Sequence, residues 1–382
     1  GVDCSGHGTC NVVDGAAQCS CEDGYHVVDA TSCEEDTQGC VHDTDWGFVP
    51  FDIPADSVTV PPGGDIQAAI DSLSAGGTVV LKAGAYEGSH IQLKSNLVIQ
   101  GAGVGVTTIA FNGGADQPLM QMREGQNVIL RGFTADCRGT ATANGIEFIH
   151  GPDNILIEDV EVFGADKSNL LVYNTSWNEA TNRITIKNVS SYDGVLYHGI
   201  GLRFVESALV CQCESHHMGG YGLDFSRVKY AEIVGCFLHD NGSGGSKFPG
   251  SNFIYIHDST IADNSGVGIK FNLLGTEGTG LMHFDIENTE VTNSGAGMVD
   301  WGDDFAPPTF EEMVLIGNNI HDNVSNGQPF DHVRLRGCNA AHEYGDNIGL
   351  TIARAGTINA IAHQTGTPQE DGVGWVAWPG PQ

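Results

Sequence analysis

The stretch from residue 192 to residue 271 repeats one short pattern, which reads HGIGL at 198–202, YGLDF at 221–225, GSKF at 245–248 and GIKF at 268–271. Its glycines stand at 199, 222, 245 and 268, so that each follows the last by 23 residues. A period in the twenties with short apolar runs is typical of a solenoid, in which every period forms one coil. Equivalent residues of successive coils then stack about 4.8 Å apart.

A second, apolar-x-apolar strand recurs through the chain and allows the coils to be counted. Its reference positions, at intervals of 27, 29, 24, 23, 23, 30 and 29 residues, are Leu130, Ile157, Ile186, Val210, Ile233, Ile256, Ile286 and Leu315. Coils of this size without helical periodicity predict an all-β fold, a right-handed, single-stranded parallel β-helix of about nine to ten coils. Apolar residues at helical spacing in 66–73, after Asp65 as N-cap, predict a short helix that covers the N-terminal end.

The composition of the 382-residue chain fits this architecture and limits its partners. Glycine occurs 53 times and only 17% of the residues are charged, which suits tight turns and short strands. The net charge of −32, from 48 acidic and 16 basic residues, argues against binding to nucleic acid or to an anionic membrane surface. No apolar run approaches the roughly 20 residues of a membrane helix, so no membrane partner is predicted.

Five of the eleven cysteines lie near the start of the chain, at Cys4, Cys10, Cys19, Cys21 and Cys33. This density predicts an oxidising environment and a secreted protein. The frame of these residues resembles the second to sixth cysteines of an EGF-like module, which implies the bonds Cys4–Cys19 and Cys21–Cys33 and a role as a spacer or as a contact with another protein or domain. We therefore expect an EGF-like module at 1–41, a linker at 42–57, the β-helix at 58–358 and a C-terminal tail at 359–382.

The remaining cysteines leave several pairings open. Cys40 is a candidate partner for Cys10. The sequence assigns no partner to Cys137, Cys211 or Cys338. Cys213 and Cys236 fall at equivalent positions of neighbouring coils, where a disulfide and a pair of free thiols are equally expected.

A column of polar residues follows from the alternation of side chains along the glycine-containing strand. The outward positions are Glu147, Val172, Gly201, Asp224, Lys247, Lys270 and Val299, and, two residues before each inward position, Asn144, Asn169, His198, Tyr221, Gly244, Val267 and Ala296. Small residues flank a polar centre at both levels, as in a groove with a chemical site. We predict that the catalytic residues are Tyr221, His198, Asp224, Lys247 and Lys270.

The cations of this strand predict an anionic partner. Two lysines stacked one coil apart repel each other unless an anion lies between them, and Arg203 and Arg227 form a second matched column 24 residues apart. A carboxylated or sulfated sugar is the natural ligand, so an acidic polysaccharide is predicted as the substrate. The predicted substrate-binding residues are Arg203, Arg227, Glu147, Tyr197, Trp301 and Asp300. The alternative is a surface charge ladder, in which Asp224 only neutralises Lys247.

Other histidines and acids lie in the turns, at His216-His217, His239-Asp240, His257-Asp258 and His321-Asp322. Because they recur at one corner of the coil, solvated turn ladders are favoured over a metal site, and no metal ligands are predicted. No cofactor is required by the predicted chemistry. Calcium is possible from the acid content, although no glycine-aspartate nonapeptide repeat supports it.

The segment Tyr221-Gly222-Leu223-Asp224 is similar to the Tyr-Gly-Phe-Asp segment of mannuronan C5-epimerases, which are parallel β-helix enzymes that act on alginate. Residues 66–86 are similar to the opening of many secreted β-helix lyases and epimerases of the pectate-lyase-like type. This resemblance implies catalytic roles for Tyr221 and Asp224. The family continues with Pro-His where this chain has Phe225-Ser226, and His198, one coil away, is the candidate replacement for the histidine.

Epimerases and β-eliminating lyases share one first step, the abstraction of the sugar C5 proton. Lys247 or Lys270, helped by the arginines, would neutralise the adjacent carboxylate, and His198 or Tyr221 would take the proton. The two outcomes, on alginate or another polyuronate, are not separable from the residues. The alternatives are a glycoside hydrolase that uses Asp300, Asp303 and Asp304 or Asp224 with Glu147, and a non-catalytic glycan-binding module of the adhesin or tailspike type.

Overall fold

The computed structural model of the chain has two compact units, Gly1–Thr44 and Asp45–Gln382. The residues it describes are 8–13, 16–21, 25–29, 32–35, 47–141, 143–176, 181–272, 282–300, 310–325, 328–329, 332–335, 338–344, 351–354 and 361–364. Within these ranges, no helix combines the length and the apolar character that crossing a membrane requires.

The first unit contains two antiparallel hairpins. Gly8–Val13 pairs with Ala16–Cys21, and Tyr25–Asp29 pairs with Ser32–Glu35. In the first hairpin Cys10 lies opposite Cys19 along the backbone. The EGF-like resemblance and its cysteine pairs stay predictions, and Cys4 and Cys40 lie outside the described residues.

The second unit opens with the predicted helix, which spans Ile66–Ser72. The carboxylate of Asp65 accepts a hydrogen bond from the backbone N–H of Ala68 at 2.9 Å, so the predicted N-cap is confirmed. Ile66 and Ile70 are buried, and the strands follow directly.

The strands of the second unit form three parallel sheets, and each coil contributes to all three in turn. Sheet one contains Ser57–Val60, Gly77–Leu81, Leu97–Gln100, the first parts of Gln126–Asp136, Asp153–Phe163 and Thr181–Tyr192, the last parts of Ile200–Cys211 and Tyr221–Val234, and then Phe253–His257, Met282–Glu287, Phe310–Ile316, Cys338–Tyr344 and Ile361–Gln364. Sheet two contains Gly84–Gly88, Thr107–Phe111, the last parts of Gln126–Asp136, Asp153–Phe163 and Thr181–Tyr192, and then Glu214–His216, Phe237–His239, Thr260–Ala262, Glu290–Thr292 and Asn319–His321. Sheet three contains Ile91–Gln92, Met120–Arg123, Ile146–Ile149, Leu170–Tyr173, the first parts of Ile200–Cys211 and Tyr221–Val234, and then Gly244–Pro249, Val267–Asn272, Ala296–Asp300, His332–Leu335 and Thr351–Arg354. A short antiparallel hairpin joins Val324–Ser325 to Gln328–Pro329.

The inward side chains form the hydrophobic core. The eight reference residues that run from Leu130 to Leu315 in the sequence pair one after another in sheet one, and each is at most 1% exposed. The sequence-based alignment of these coils is therefore confirmed. Stacking each apolar residue on its counterpart in the next coil buries a continuous core, which a single coil could not do alone.

Buried amide side chains support the turns between sheets two and three. The Oδ1 of Asn264 accepts hydrogen bonds from the backbone N–H of Asn241 at 3.1 Å and from its Nδ2 at 3.0 Å, and both side chains are at most 2% exposed. The Nδ2 of Asn264 donates to the carbonyls of Leu238 and Ala262. This ladder satisfies backbone groups that the bend removes from the sheets.

Three cysteines inside the β-helix are free and buried, namely Cys137, Cys213 and Cys236. Of the two outcomes expected for the neighbouring pair Cys213 and Cys236, the structure has the free thiols. Burial raises the pKa of the Cys213 thiol well above its ordinary value, so this residue behaves as a small apolar side chain. Cys211 is disulfide-bonded.

Candidate active site

The outer face of sheet three carries the polar column in register. Its members, one coil after another, are Gln121, Glu147, Leu171, Gly201, Asp224, Lys247, Lys270 and Val299. The prediction was wrong at one position, because Leu171 and not Val172 pairs with Glu147 and Gly201. Val172 is 0% exposed and belongs to the core. Asn169 is also buried, and its amide donates to the hydroxyl of Ser191.

Asp224 is the centre of the site and is only 7% exposed. Its Oδ2 lies 2.9 Å from the Nε2 of His198 and 3.3 Å from the Nζ of Lys247, and its Oδ1 accepts a hydrogen bond of 2.9 Å from the hydroxyl of Ser226. Burial alone would raise the pKa of Asp224, but the hydrogen bonds and charges of these three neighbours lower it below its ordinary value. Asp224 is therefore a carboxylate at neutral pH.

His198 bridges two consecutive coils. Its Nδ1 accepts the backbone N–H of Tyr221 at 3.3 Å, while its Nε2 faces Asp224. In the neutral imidazole, this pattern of hydrogen bonds assigns the proton to Nε2, which donates it to Asp224. Both ring nitrogens are engaged, so His198 is positioned beside Asp224.

Tyr221 lies across a glycine of the next coil. At Gly244, where φ is +153°, an added Cβ would come within 2.2 Å of the carbonyl oxygen of Val267 and 2.8 Å of the Tyr221 ring. The Nζ of Lys247 lies 5.7 Å from the centroid of that ring. Burial, and then the negative charge of Asp224, raise the pKa of Tyr221 to about 12. The phenol is consequently protonated at neutral pH.

A cavity of about 480 Å³ lies on the face of sheet three next to Asp224. It is lined by Asn144, Glu147, Lys167, Ser168, Leu171, Tyr173, Tyr197, His198, Gly201, Leu202, Arg203, Asp224 and Ser226. At the far end, Glu147 accepts hydrogen bonds from the side-chain amides of Gln121 and Asn144. The predicted residues Glu147, Tyr197, His198, Arg203 and Asp224 thus share one cavity.

Two cations line this cavity without an acidic partner. Among the described residues, neither Lys167 nor Arg203 forms an ion pair, although the chain has 48 acidic residues and only 16 basic ones. The guanidinium of Arg203 lies 5.0 Å above the ring of Tyr173, and its Nε is buried with no hydrogen-bond partner in the described part of the chain. Cations left in this state can bind an anion at little cost.

The matched column of arginines was wrong. Arg203 pairs with Ser226, whereas Arg227 occupies the following bend, at φ +57°, in the place that Phe204 takes one coil earlier. The two guanidiniums nevertheless meet at one ring, because that of Arg203 lies 5.6 Å and that of Arg227 5.1 Å from the centroid of Phe204.

The other predicted residues take less central places. Lys270 follows Lys247 in register, as expected. Asp300 pairs along the backbone with Phe271, one residue beyond the column. Trp301, Asp303 and Asp304 lie outside the described residues. Glu147 and Asp224 are separated by three coil steps, and at about 4.8 Å a step their backbones are roughly 14 Å apart, which is wide for a pair of hydrolytic carboxylates.

Sequence reasoning missed Lys167, Tyr173 and Ser226 as members of the site. Lys167 lies in a turn, outside the strand alternation that was used to find the column. The scarcity of cations was the signal that could have identified it. For metals, the described residues contain one suitable group, Glu214 with His216 and His239, and it lies on sheet two.

Comparisons with known proteins agree with the architecture. A protein-family model for a right handed beta helix region matches residues 168–327. No curated protein matches the chain. Among solved structures, the A-module of mannuronan C-5 epimerase AlgE6 from Azotobacter vinelandii is similar with a TM-score of 0.55 at 16% identity, over 80% of this chain and 95% of that one. Tailspike protein 2 from Escherichia coli O157:H7 bacteriophage CAB120 has a TM-score of 0.50 at 14% identity, over 82% and 41% of the two chains.

A third similar structure is the catalytic domain of a GH87 alpha-1,3-glucanase in complex with nigerose. Its TM-score is 0.50 at 13% identity, over 83% of this chain and 67% of that one. At such identities a structural likeness defines the fold and leaves the reaction open. The second unit of this protein is a right-handed parallel β-helix.

Proposed function

We propose that the protein is an enzyme that removes the C5 proton of a uronic acid residue within an acidic polysaccharide, with alginate as the first candidate. The observation that carries the proposal is the group of Tyr221, His198, Asp224 and Lys247 at one end of a cavity whose walls carry Lys167 and Arg203. The predicted secretion, the EGF-like module and the absence of a required cofactor belong to the same proposal.

Lys247 is the group that neutralises the carboxylate of the reacting sugar. A C5 proton becomes acidic enough to remove only when the negative charge that develops on the adjacent carboxylate is stabilised. The Nζ of Lys247 contacts Asp224 at 3.3 Å, and Lys270 follows in the next coil, so that positive charge extends beyond the acid. Asp224 holds Lys247 and His198 in place and remains ionised.

Tyr221 is the group that we assign to proton transfer. His198 uses one ring nitrogen for the backbone of Tyr221 and the other for Asp224, whereas the hydroxyl of Tyr221 makes no hydrogen bond to the described residues. A phenol with a pKa of about 12 is a strong base once ionised and a proton donor while neutral. Beta-elimination can use the same group to take the C5 proton and to protonate the departing 4-oxygen. Epimerisation needs a second donor on the opposite face of the ring.

The test is an incubation of the full chain with polymannuronate, polyguluronate and polygalacturonate. A rise in ultraviolet absorbance from unsaturated uronate indicates a lyase, and a change in the anomeric proton NMR signals without that rise indicates an epimerase. Tyr221→Phe should lower the rate by about 10²–10⁴-fold, the usual contribution of a proton-transfer group, without unfolding the protein. If no polyuronate changes, the proposal is wrong. New reducing ends on a neutral glycan would instead identify a hydrolase, and binding without turnover a glycan-binding module.

The pH dependence distinguishes the two candidate bases. If ionised Tyr221 takes the proton, the rate rises with pH throughout the neutral and mildly alkaline range, because the pKa of about 12 lies far above it. If neutral His198 takes the proton, the rate levels off once the imidazole has lost its charge.

A further inference from the structure

Three histidines of the β-helix make the same pair of contacts. In each case Nε2 faces a glutamate of the preceding coil and Nδ1 faces the aspartate that follows in the sequence. The groups, with nitrogen–oxygen distances of 2.8–3.1 Å, are Glu214–His239–Asp240, Glu232–His257–Asp258 and Glu290–His321–Asp322. The repetition shows that a histidine between two carboxylates is a regular device of this fold.

The first of these groups differs from the others because a second histidine joins it. The ring of His216 stacks on that of His239, with centroids 4.9 Å apart and planes at 14°. The Nδ1 of His216 is 2.6 Å from the Nδ1 of His217. Glu214, His216 and His239 each offer one ligand atom, and these atoms all lie within 4.8 Å of one another.

We infer that Glu214, His216 and His239 form a binding site for Zn²⁺ or a chemically similar divalent transition metal. Two imidazoles and one carboxylate are a common donor set for zinc with one position left open. Hard cations such as Ca²⁺ prefer oxygen ligands alone, so the two imidazoles select against them.

The spacing of the donor atoms is close to what the ion needs. Ligand atoms about 2.0–2.1 Å from a tetrahedral ion are roughly 3.3 Å from each other. The Nε2 of His239 and the Oε1 of Glu214 are already 3.0 Å apart. The donor atom of His216 then has to move by at most about 1.5 Å, the difference between 4.8 Å and that spacing, which rotation of a partly exposed side chain provides.

The second nitrogens of both rings have hydrogen-bond partners. The Nδ1 of His239 is 2.8 Å from a carboxylate oxygen of Asp240, and the Nδ1 of His216 faces His217. Histidine ligands commonly bind the metal through one nitrogen while a neighbouring acceptor fixes the other. Asp240 and His217 are therefore placed to orient the two imidazoles.

The ion would connect the two coils that build the proposed active site. The strand Glu214–His216 is followed by the turn that leads to Tyr221, and the strand Phe237–His239 by the turn that leads to Gly244–Pro249, which carries Lys247. A metal shared by His216 and His239 fixes these turns relative to each other. Its role is structural, and the site does not depend on which reaction sheet three supports.

The test is isothermal titration of the full chain with Zn²⁺ after treatment with EDTA. We expect His216→Ala and His239→Ala each to weaken zinc binding tenfold or more, since each removes a ligand. His321→Ala is the matched control, because it removes a histidine with the same two carboxylate contacts but no second histidine, and it should bind zinc like the wild type.

Thermal unfolding gives an independent measurement. Zinc should raise the midpoint of the wild type and of His321→Ala, and should leave that of His216→Ala and His239→Ala unchanged. Excess Ca²⁺ should not displace the zinc. If His216→Ala does not fold, His216→Asn retains a polar side chain and serves in its place. Equal zinc affinity in all the variants, or no binding by the wild type, overturns the inference.

Discussion

Sheets two and three present opposite treatments of charge on the same coils. On sheet two, His239 and His321 each lie 2.8–3.1 Å from two carboxylates. On sheet three, Lys167 and Arg203 line a cavity without an ion pair among the described residues. Paired charges contribute to the fold, whereas cations that a strongly acidic chain leaves unpaired are available to a ligand. The difference locates the functional face more sharply than the presence of charge does.

The largest effect is expected from removing the unpaired cations. Lys167→Ala and Arg203→Ala should each raise KM for a polyuronate by about 10–100-fold, because a hydrogen bond to a charged group contributes about 1.5–3 kcal/mol. Steady-state kinetics give the measurement, and kcat should change little. Lys187→Ala, on sheet one and outside the cavity, is the control. A fall in kcat with unchanged KM would contradict the assignment of these residues to binding.

A smaller effect is expected at the backbone of sheet three. Gly244→Ala forces an unfavourable φ and places a methyl group 2.2 Å from the carbonyl oxygen of Val267, so it should reduce the free energy of unfolding by about 1–3 kcal/mol. Because the same Cβ meets the ring of Tyr221, activity should fall as well. Gly114→Ala meets nothing within 4 Å and should have almost no effect on either quantity in denaturant unfolding and activity assays. Equal stability of the two variants would show that the strand can adjust.

The smallest effect concerns the histidines held between carboxylates. Burial alone would lower the pKa of His257, but its hydrogen bonds to Glu232 and Asp258 outweigh burial and raise it. A raised pKa in the folded state gives stability that is fully present below the unfolded value of about 6.5 and is lost as pH rises through the folded value. His257→Gln should therefore lower the thermal midpoint more at pH 6 than at pH 9. A larger loss at the higher pH would show that neutral His257 is the stabilising form.

The periodicity of the sequence was sufficient to predict the coils and most of the register. Residues 205–257 repeat without insertions, so that Asp224, Lys247 and Lys270 fall in line by counting alone. The alternation of apolar and polar residues identified which of them point outward, and hence the centre of the site.

The errors arose where that alternation is ambiguous or interrupted. The segment Leu170–Tyr173 begins with two leucines, and the pattern does not show which of them faces the core. At Phe204 and Arg227 the backbone bends through positive φ, so counting along a straight strand no longer gives the direction of the side chain. Lys167 lies in a turn, where contacts between coils decide its position. Such contacts depend on the three-dimensional path of the chain and have no periodic signal.

The equal length of the coils between Gly199 and Gly268 limits how this enzyme surface can evolve. One inserted residue between Gly222 and Gly245 would reverse the alternation and turn Lys247 toward the core. An inserted coil would keep the alternation and shift Lys247 along the axis by about 4.8 Å. The spacing between the acid at 224 and the cations along the cavity can therefore change only in whole steps, like the marks on a ruler, and gain or loss of a coil is the simplest route to a substrate with a different charge spacing.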